Sequence, residues 1–238
     1  MNLQGKKVVV VGGNSGIGQA VAKRALAEGA IVVVTGRSQD RLAQAKAALG
    51  GTVESFAFDA GDAAQAQAAY QSIGPIDHLI TTAAALTYAP VGEIALDAVQ
   101  AMIGSKIWGP FLAARFAAPH IRPGGSMTFF TGLAAYRPGP GTAIVATVNA
   151  GLEGMIKALA VELAPLRVNG ISPGVTQTPG WDFMAQDDRE ALFASLRQTL
   201  PARRIGAPED LAAATLLLMT NPFITGTVLD VDGGGRLS

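Results

Sequence analysis

The sequence predicts an α/β fold in a single domain, a doubly wound parallel sheet with helices on both faces. Three observations predict it. Apolar β-type runs alternate with helix-period segments along the whole chain. The first run, Val8-Val9-Val10-Val11, places four β-branched residues in a row, the composition of a strand buried on both faces. That run breaks into Gly12-Gly13-Asn14-Ser15-Gly16-Ile17-Gly18, a glycine turn that opens a helix.

The first strand therefore lies near 6–12 and the first helix near 16–28, where Ala20, Val21, Ala25 and Leu26 continue an apolar stripe to Gly29. Ile31 to Val34 mark a second strand near 31–35, and a helix follows near 39–49. A third strand near 52–58 ends at Asp59, ahead of a helix near 62–72. The fourth strand, near 76–81, ends in Thr81-Thr82-Ala83-Ala84. One long helix near 97–118 precedes a strand near 125–130. Another, near 143–164 with Val145, Val148, Asn149 and Leu152 on one face, precedes a strand near 166–171. Residues 176 to 205 interrupt the rhythm with Pro179, Gly180, Trp181, Phe183 and Met184. A helix near 208–219 and a strand near 227–231 complete the alternation. Such alternation implies right-handed crossovers, with ligands bound at the carboxyl ends of the strands.

Composition narrows the function. A chain of 238 residues with no linker or charge run reads as one domain. The 15% of charged residues is below the ~25% of typical globular chains, while 49% are hydrophobic. That surplus of small apolar residues predicts extra buried surface in a homo-oligomer, a tetramer or dimer packed through the two long helices. Its motivation includes Ala146, Ala150, Gly151, Gly154 and Ala158 along the second of them. The 18 basic and 18 acidic residues balance, and no basic patch points to nucleic acid. Cysteine is absent, which excludes disulfides and thiol catalysis. No apolar stretch reaches the ~18 residues of a membrane span and no signal-peptide core precedes the first strand, so the expectation is a cytoplasmic protein without a membrane partner. No metal-ligand cluster is visible, and His78 and His120 do not read as site residues.

The glycine turn implies a phosphate-bearing cofactor. Gly12 permits the tight turn, and Gly16 and Gly18 let backbone and helix approach a pyrophosphate at the positive helix N-terminus. The spacing Gly12-xxx-Gly16-x-Gly18 resembles that of the short-chain dehydrogenase/reductase family. Asn169-Gly170-Ile171-Ser172-Pro173-Gly174-Val175 with Thr178 resembles that family's Arg-Val-Asn-x-x-x-Pro-Gly segment and its threonine. Arg204-Ile205-Gly206-Ala207-Pro208-Glu209-Asp210 and Val231-Asp232-Gly233-Gly234 resemble its C-terminal signatures, so the likeness covers residues 5 to 235.

The resemblance implies a Rossmann-type sheet, a small-molecule substrate covered by the insertion near 176–205, and a nicotinamide cofactor. Carried over residue by residue, the cofactor set is Gly12, Asn14, Ser15, Gly16, Ile17 and Gly18 in the turn, with Asp59 and Ala60 after the third strand. Thr82, Ala83 and Ala84 follow after the fourth strand, then Asn149, and finally Pro173, Gly174, Val175 and Thr178. Asp59 reads equally as an acceptor for the adenine amino group or as a cap on the helix beginning near Asp62. An NAD site would place a carboxylate at the end of the second strand, but the chain reads Val34-Thr35-Gly36-Arg37-Ser38 there. Arg37 either faces the 2′-phosphate of NADP, the reading preferred here, or is a solvated arginine after a strand, and Ser38 beside it joins the cofactor set.

The family's catalytic pair, Tyr-x-x-x-Lys, has no counterpart. Four residues after Tyr70, Tyr88 and Tyr136 stand Gly74, Gly92 and Pro140. Laid on the family pattern, Val145 takes the place of the tyrosine, Asn149 of the lysine, Gly132 of the serine and Lys106 of the asparagine. Lys106 shares an apolar stripe with Met102, Ile103 and Pro110. Burial there would lower its pKa and make it a proton donor, or it hydrogen-bonds backbone carbonyls and supports the structure. Thr131 either orients a carbonyl or satisfies the strand end, and Tyr88 and Tyr136 are pocket residues or half-buried loop aromatics. Three functions remain open. The first is an NADP(H)-dependent oxidoreductase with a non-standard active site, using Lys106 and Thr131 as its candidate catalytic residues. The second is a non-catalytic NADP(H)-binding sensor or partner protein. The third is an elimination or isomerisation on the same scaffold.

Overall fold

Val8 to Val11 alternate between two cores, which is why four valines run together. Val9 and Val11 pack on one face of the sheet, with Leu79, Met127 and Phe129. Val8 and Val10 pack on the other, with Val32, Val34 and Ile80. Each such valine contributes about 1.5–3 kcal/mol relative to an exposed one. A computed structural model describes residues 2–50 and 52–238 of the chain.

The strands are β1 (Lys7–Val11), β2 (Ile31–Gly36), β3 (Val53–Ala57), β4 (Ile76–Thr81), β5 (Ile121–Phe130), β6 (Arg167–Pro173) and β7 (Val228–Val231). All their pairings are parallel, in the order β3-β2-β1-β4-β5-β6-β7. The helices α1 (Gly16–Ala27), α2 (Gln39–Leu49), α3 (Ala63–Ile73), α4 (Leu96–Ile103), α5 (Gly109–Ala117), α6 (Ala143–Glu162), α7 (Gln186–Thr199) and α8 (Pro208–Thr220) connect them. Buried side chains of α3, α5 and α6 cover one face, and those of α1, α2 and α8 cover the other. The doubly wound expectation holds.

Two elements differ from the sequence reading. The single helix expected over 97–118 is α4, a π-helical segment Gly104–Trp108, and α5. Pro110 explains the break. It has no N–H for the carbonyl of Lys106 four residues back, and its ring would clash with that carbonyl. The chain widens, and the Gly109 N–H donates to the Gly104 carbonyl five residues back. The insertion after β6 contains α7, which packs Phe193 against Leu200 and Ile205.

Polar groups pin the amino-terminal edge of the sheet. Asp77 at the start of β4 accepts from the Lys7 amide (2.8 Å), Lys6 Nζ (3.2 Å) and Arg122 (2.7 Å). Arg167 at the start of β6 donates to the carbonyls of Leu218, Met219 and Ile224, satisfying the exit of α8. α6 is 20 residues and apolar enough in composition to cross a membrane, yet it buries Asn149 and Glu153 and packs against β6.

Candidate functional site

The carboxyl ends of the strands enclose a cleft of about 1380 Å³. Its floor is the turn after β1. Gly12 has φ +83°, and a Cβ there would stand 2.7 Å from the Ala83 nitrogen. A Cβ on Gly18 would stand 2.3 Å from the Gly12 carbonyl. Backbone and helix meet too closely there for any other residue. The Thr82 hydroxyl donates to the carbonyls of Val11 (3.1 Å) and Gly12 (3.3 Å), tying the end of β4 to the turn. Ser15 caps α1 without a side-chain hydrogen bond, so the first-turn amides stay open to an anion. Asn14, Ser15, Gly16, Ile17, Thr82, Ala83 and Ala84 all line the cleft.

At the β2 end the cleft is lined by Thr35, Arg37, Ser38 and Arg41. Neither arginine is in an ion pair among the described residues. The buried Thr35 hydroxyl has no hydrogen-bond partner among the described residues. The Ser38 hydroxyl accepts from the Arg41 amide and so caps α2. Asp59 and Ala60 line the next stretch. One Asp59 oxygen accepts from the Gly61 amide at 2.9 Å, while Asp62 caps α3 through the Gln65 amide at 3.0 Å. The cap considered for Asp59 is thus made by Asp62, whose carboxyl is held below its ordinary value by that backbone hydrogen bond.

Lys106 enters from the π-helical segment and is 5% exposed. Its Nζ donates to the carbonyls of Phe130 and Thr131, both at 2.9 Å. Burial pushes its pKa down to about 8. Two N–H groups serve the end of β5. The third has no partner among the described residues, and Lys106 lines the cleft.

Other expected residues stand differently. Thr131 reaches the cleft, but its hydroxyl donates to Glu153 (3.3 Å) and the Ile171 carbonyl (3.4 Å), neither of which lines it. Asn149 and Val145 are buried and do not line the cleft. A Cβ on Gly132 would stand 2.8 Å from Asn149 Nδ2, so the amide packs directly behind that glycine. Pro173 and Thr178 line the cleft, whereas Gly174 and Val175 do not. Gly174 is where β6 meets Asp232, 2.6 Å from where its Cβ would be, and Val175 packs beside Phe193 and Leu200. Tyr136 is tied to Glu153 Oε2 at 2.5 Å, and burial together with that bond raises its pKa. The sequence reading passed over Arg41, one helical turn beyond Arg37. It also passed over buried Glu153, which carried no signal beyond a charge on an apolar helix face.

The outer part of the cleft is aromatic. Leu86 and Tyr88 come from the loop after β4, and Pro179, Trp181 and Phe183 from the segment after β6. Trp181 is fixed by its Nε1 donating to the Thr176 carbonyl at 3.0 Å. It stacks on Phe183 at 6.1 Å and meets Phe193 edge-on at 6.1 Å.

Known proteins resemble this chain in sequence and in fold. The family described as enoyl-(acyl carrier protein) reductase matches residues 11–235. The short-chain dehydrogenase/reductase malC of Malbranchea aurantiaca is 31% identical, over 98% of this chain and 95% of its own length. The human dehydrogenase/reductase SDR family member 4 is 32% identical, over 98% and 88%. A small-chain dehydrogenase solved in complex with NADPH superposes with a TM-score of 0.87 at 34% identity, covering 99% of this chain and 100% of the other. With a matching family over nearly its full length, relatives above 30% identity and a shared fold, this chain belongs to the short-chain dehydrogenase/reductase family of oxidoreductases.

Proposed function

We propose that this protein is an NADP(H)-dependent oxidoreductase with a non-standard proton-handling site. The observation that carries the reading is Arg37 just after β2 and Arg41 in the first turn of α2, free of ion pairs among the described residues, where an NAD site would present a carboxylate. The NADPH found with a structural relative supports the same reading. The lining fits the cofactor: a cradle that any Cβ would fill, open first-turn amides, and the unpartnered Thr35 hydroxyl.

When bound, the cofactor supplies the hydride chemistry. The turn Gly12 to Gly18 would hold its pyrophosphate at the start of α1, and Arg37 and Arg41 would hold the 2′-phosphate. Asp59 and Ala60 would serve the adenine, Ala83 and Ala84 the ribose, and Pro173 and Thr178 the far end of the cleft. Lys106 holds a proton at Nζ, with one N–H left for a substrate atom. Val145 has no proton to give, and Asn149 brings no positive charge. Losing a general acid costs about 10²–10⁴-fold, so turnover is slowed without being forbidden.

A second reading has its own support. Both carbonyls on Lys106 and the Thr131 bond to Glu153 suit a protein that binds NADP(H) without turnover. Following nicotinamide absorbance against ketones, imines and enones separates the two. Oxidation of NADPH by some substrate supports the enzyme, and NADPH binding without oxidation by any of them supports the binding protein.

We also propose a homo-oligomer. Ile103, Trp108 and Phe111 are exposed on the α4–α5 side, with Trp108 stacked on Phe111 at 5.4 Å. Ala150, Gly151, Gly154 and Ala158 leave an exposed run of small residues on α6 against which a second helix can pack.

A further inference from the structure

We propose that Thr131, Glu153 and Tyr136 form a proton path that joins the cleft to solvent through the inside of the protein. The proposal rests on the oxidoreductase reading of this cleft and adds the route by which its proton enters and leaves. Thr131 stands just after β5 and lines the cleft. Its hydroxyl donates to Glu153 Oε1 at 3.3 Å, and the Tyr136 hydroxyl donates to Glu153 Oε2 at 2.5 Å. Thr131 is 3% exposed and Glu153 6%, whereas Tyr136 is 46% exposed. Three side chains with exchangeable protons thus follow one another in hydrogen-bonded sequence from the cleft wall to the surface. Arg236, ion-paired with Asp230, holds the outer end, its guanidinium 6.0 Å from the centre of the Tyr136 ring.

Among the described residues, Thr131 alone of the hydroxyls lining the cleft bonds to a titratable side chain. Ser38, Thr82, Ser105 and Thr178 bond only to backbone groups, and the Thr35 and Tyr70 hydroxyls have no partner. Lys106 holds a proton at Nζ, but the two carbonyls it donates to cannot pass one on. The acid is also costly where it stands. Glu153 lies on α6 between Leu152 and Ile156, both in the apolar core, and burying a carboxyl there is unfavourable unless its oxygens are bonded. A leucine would fill the place without that penalty, so the carboxyl points to chemistry that packing does not supply.

The hydrogen bonds as they stand run outward from the cleft. As an alcohol loses hydride to the oxidised nicotinamide, its O–H bond breaks and Thr131 Oγ1 takes the proton. Thr131 passes its own proton to Glu153 Oε1. The carboxyl then turns and gives that proton to the Tyr136 oxygen as the phenolic proton leaves to water. The products are a carbonyl compound, reduced nicotinamide and one proton in solvent, with all three side chains restored. The reverse sequence brings a proton in for reduction.

Hydroxyl exchange tests the path without turnover, read by NMR from the isotopic splitting of labelled threonine Cβ resonances in mixed light and heavy water. With NADP⁺ bound over the cleft, the Thr131 hydroxyl should exchange readily. Glu153→Gln keeps hydrogen-bonding groups at both ends but cannot hand on a proton, and Tyr136→Phe keeps the ring. Each should slow Thr131 exchange about 10²-fold, the lower end of what a positioned acid–base group contributes. Thr128, whose buried hydroxyl lies on β5 and has no partner among the described residues, should exchange as before. Damage to the fold would speed exchange at both threonines, so slowing at Thr131 alone is not a structural effect. Unchanged or faster Thr131 exchange in either variant overturns the proposal, as does wild-type exchange no faster at Thr131 than at Thr128. Failure of NADP⁺ to bind would instead overturn the cofactor reading, and the same comparison without cofactor would still decide the path.

Discussion

Arg37 is the residue on which cofactor choice turns. Removing a charge-assisted contact to phosphate costs about 1.5–3 kcal/mol, so Arg37→Ala should weaken NADPH about tenfold to a hundredfold and leave NADH nearly unchanged in calorimetric titration. Equal losses for both cofactors would place the arginine elsewhere. Lys106 makes a pH prediction. Its pKa of about 8 lies below the ordinary 10.5, so the native state releases this proton before the unfolded chain does. Its contribution to stability therefore rises with pH between about 8 and 10.5, and below that window the fold carries a buried ammonium. If Nζ gives the proton in turnover, the rate of an NADPH-consuming reaction falls as pH rises through about 8, and Lys106→Met abolishes the reaction while NADPH still binds. The glycine turn, Arg37 and the two fates of Lys106 were legible because spacing and residue type alone define them. The direction of the Thr131 hydroxyl and the burial of Asn149 behind Gly132 were not. Both depend on α6 packing across the end of β5, which no local pattern encodes.

At the scale of the element, Pro110 and the π-helical segment set where Lys106 points. Pro110→Ala restores an N–H to the helix and should let residues 104–108 rewind as α-helix, turning the ammonium off the Phe130 and Thr131 carbonyls. The expected signature is a changed Lys106 titration by NMR of labelled lysine; an unchanged titration would mean that packing, not proline, widens the segment. The β4–β5 seam carries another test. His78 Nδ1 lies 2.9 Å from Ser126 Oγ, and burial depresses the imidazole pKa to about 4. The native state thus keeps His78 neutral between about 4 and 6.5 where the unfolded chain protonates, so stability falls as pH falls through that window. By about 1.36 kcal/mol per unit the loss is up to about 3 kcal/mol, and thermal melts of His78→Gln should show a correspondingly flatter acid limb. Six helices and seven strands were legible as alternation. The break at Pro110 looked instead like an apolar stripe running on, and α7 was masked by Pro179, Gly180 and the aromatic residues ahead of it.

For the whole molecule, the exposed aromatic and small-residue faces of α4, α5 and α6 predict association. Light scattering should report a dimer or tetramer at micromolar concentration, and a monomer there removes the proposal. The alternation of elements could be read from the chain, but the place of each strand in the sheet could not, since periodicity carries no information about neighbours. That order has a kinetic consequence. β1 pairs with β2 on one side and with β4 on the other, Val8 standing opposite His78. A chain leaving the ribosome can therefore join β1, β2 and β3 early, yet the second edge of β1 stays open until about eighty residues are available. That waiting edge is Val8 to Val11, an uncharged valine ribbon of the kind that pairs with copies of itself. Refolding yield should accordingly fall as protein concentration rises, and fall less when a segment containing Ile76 to Thr81 is supplied early in trans to close the ribbon.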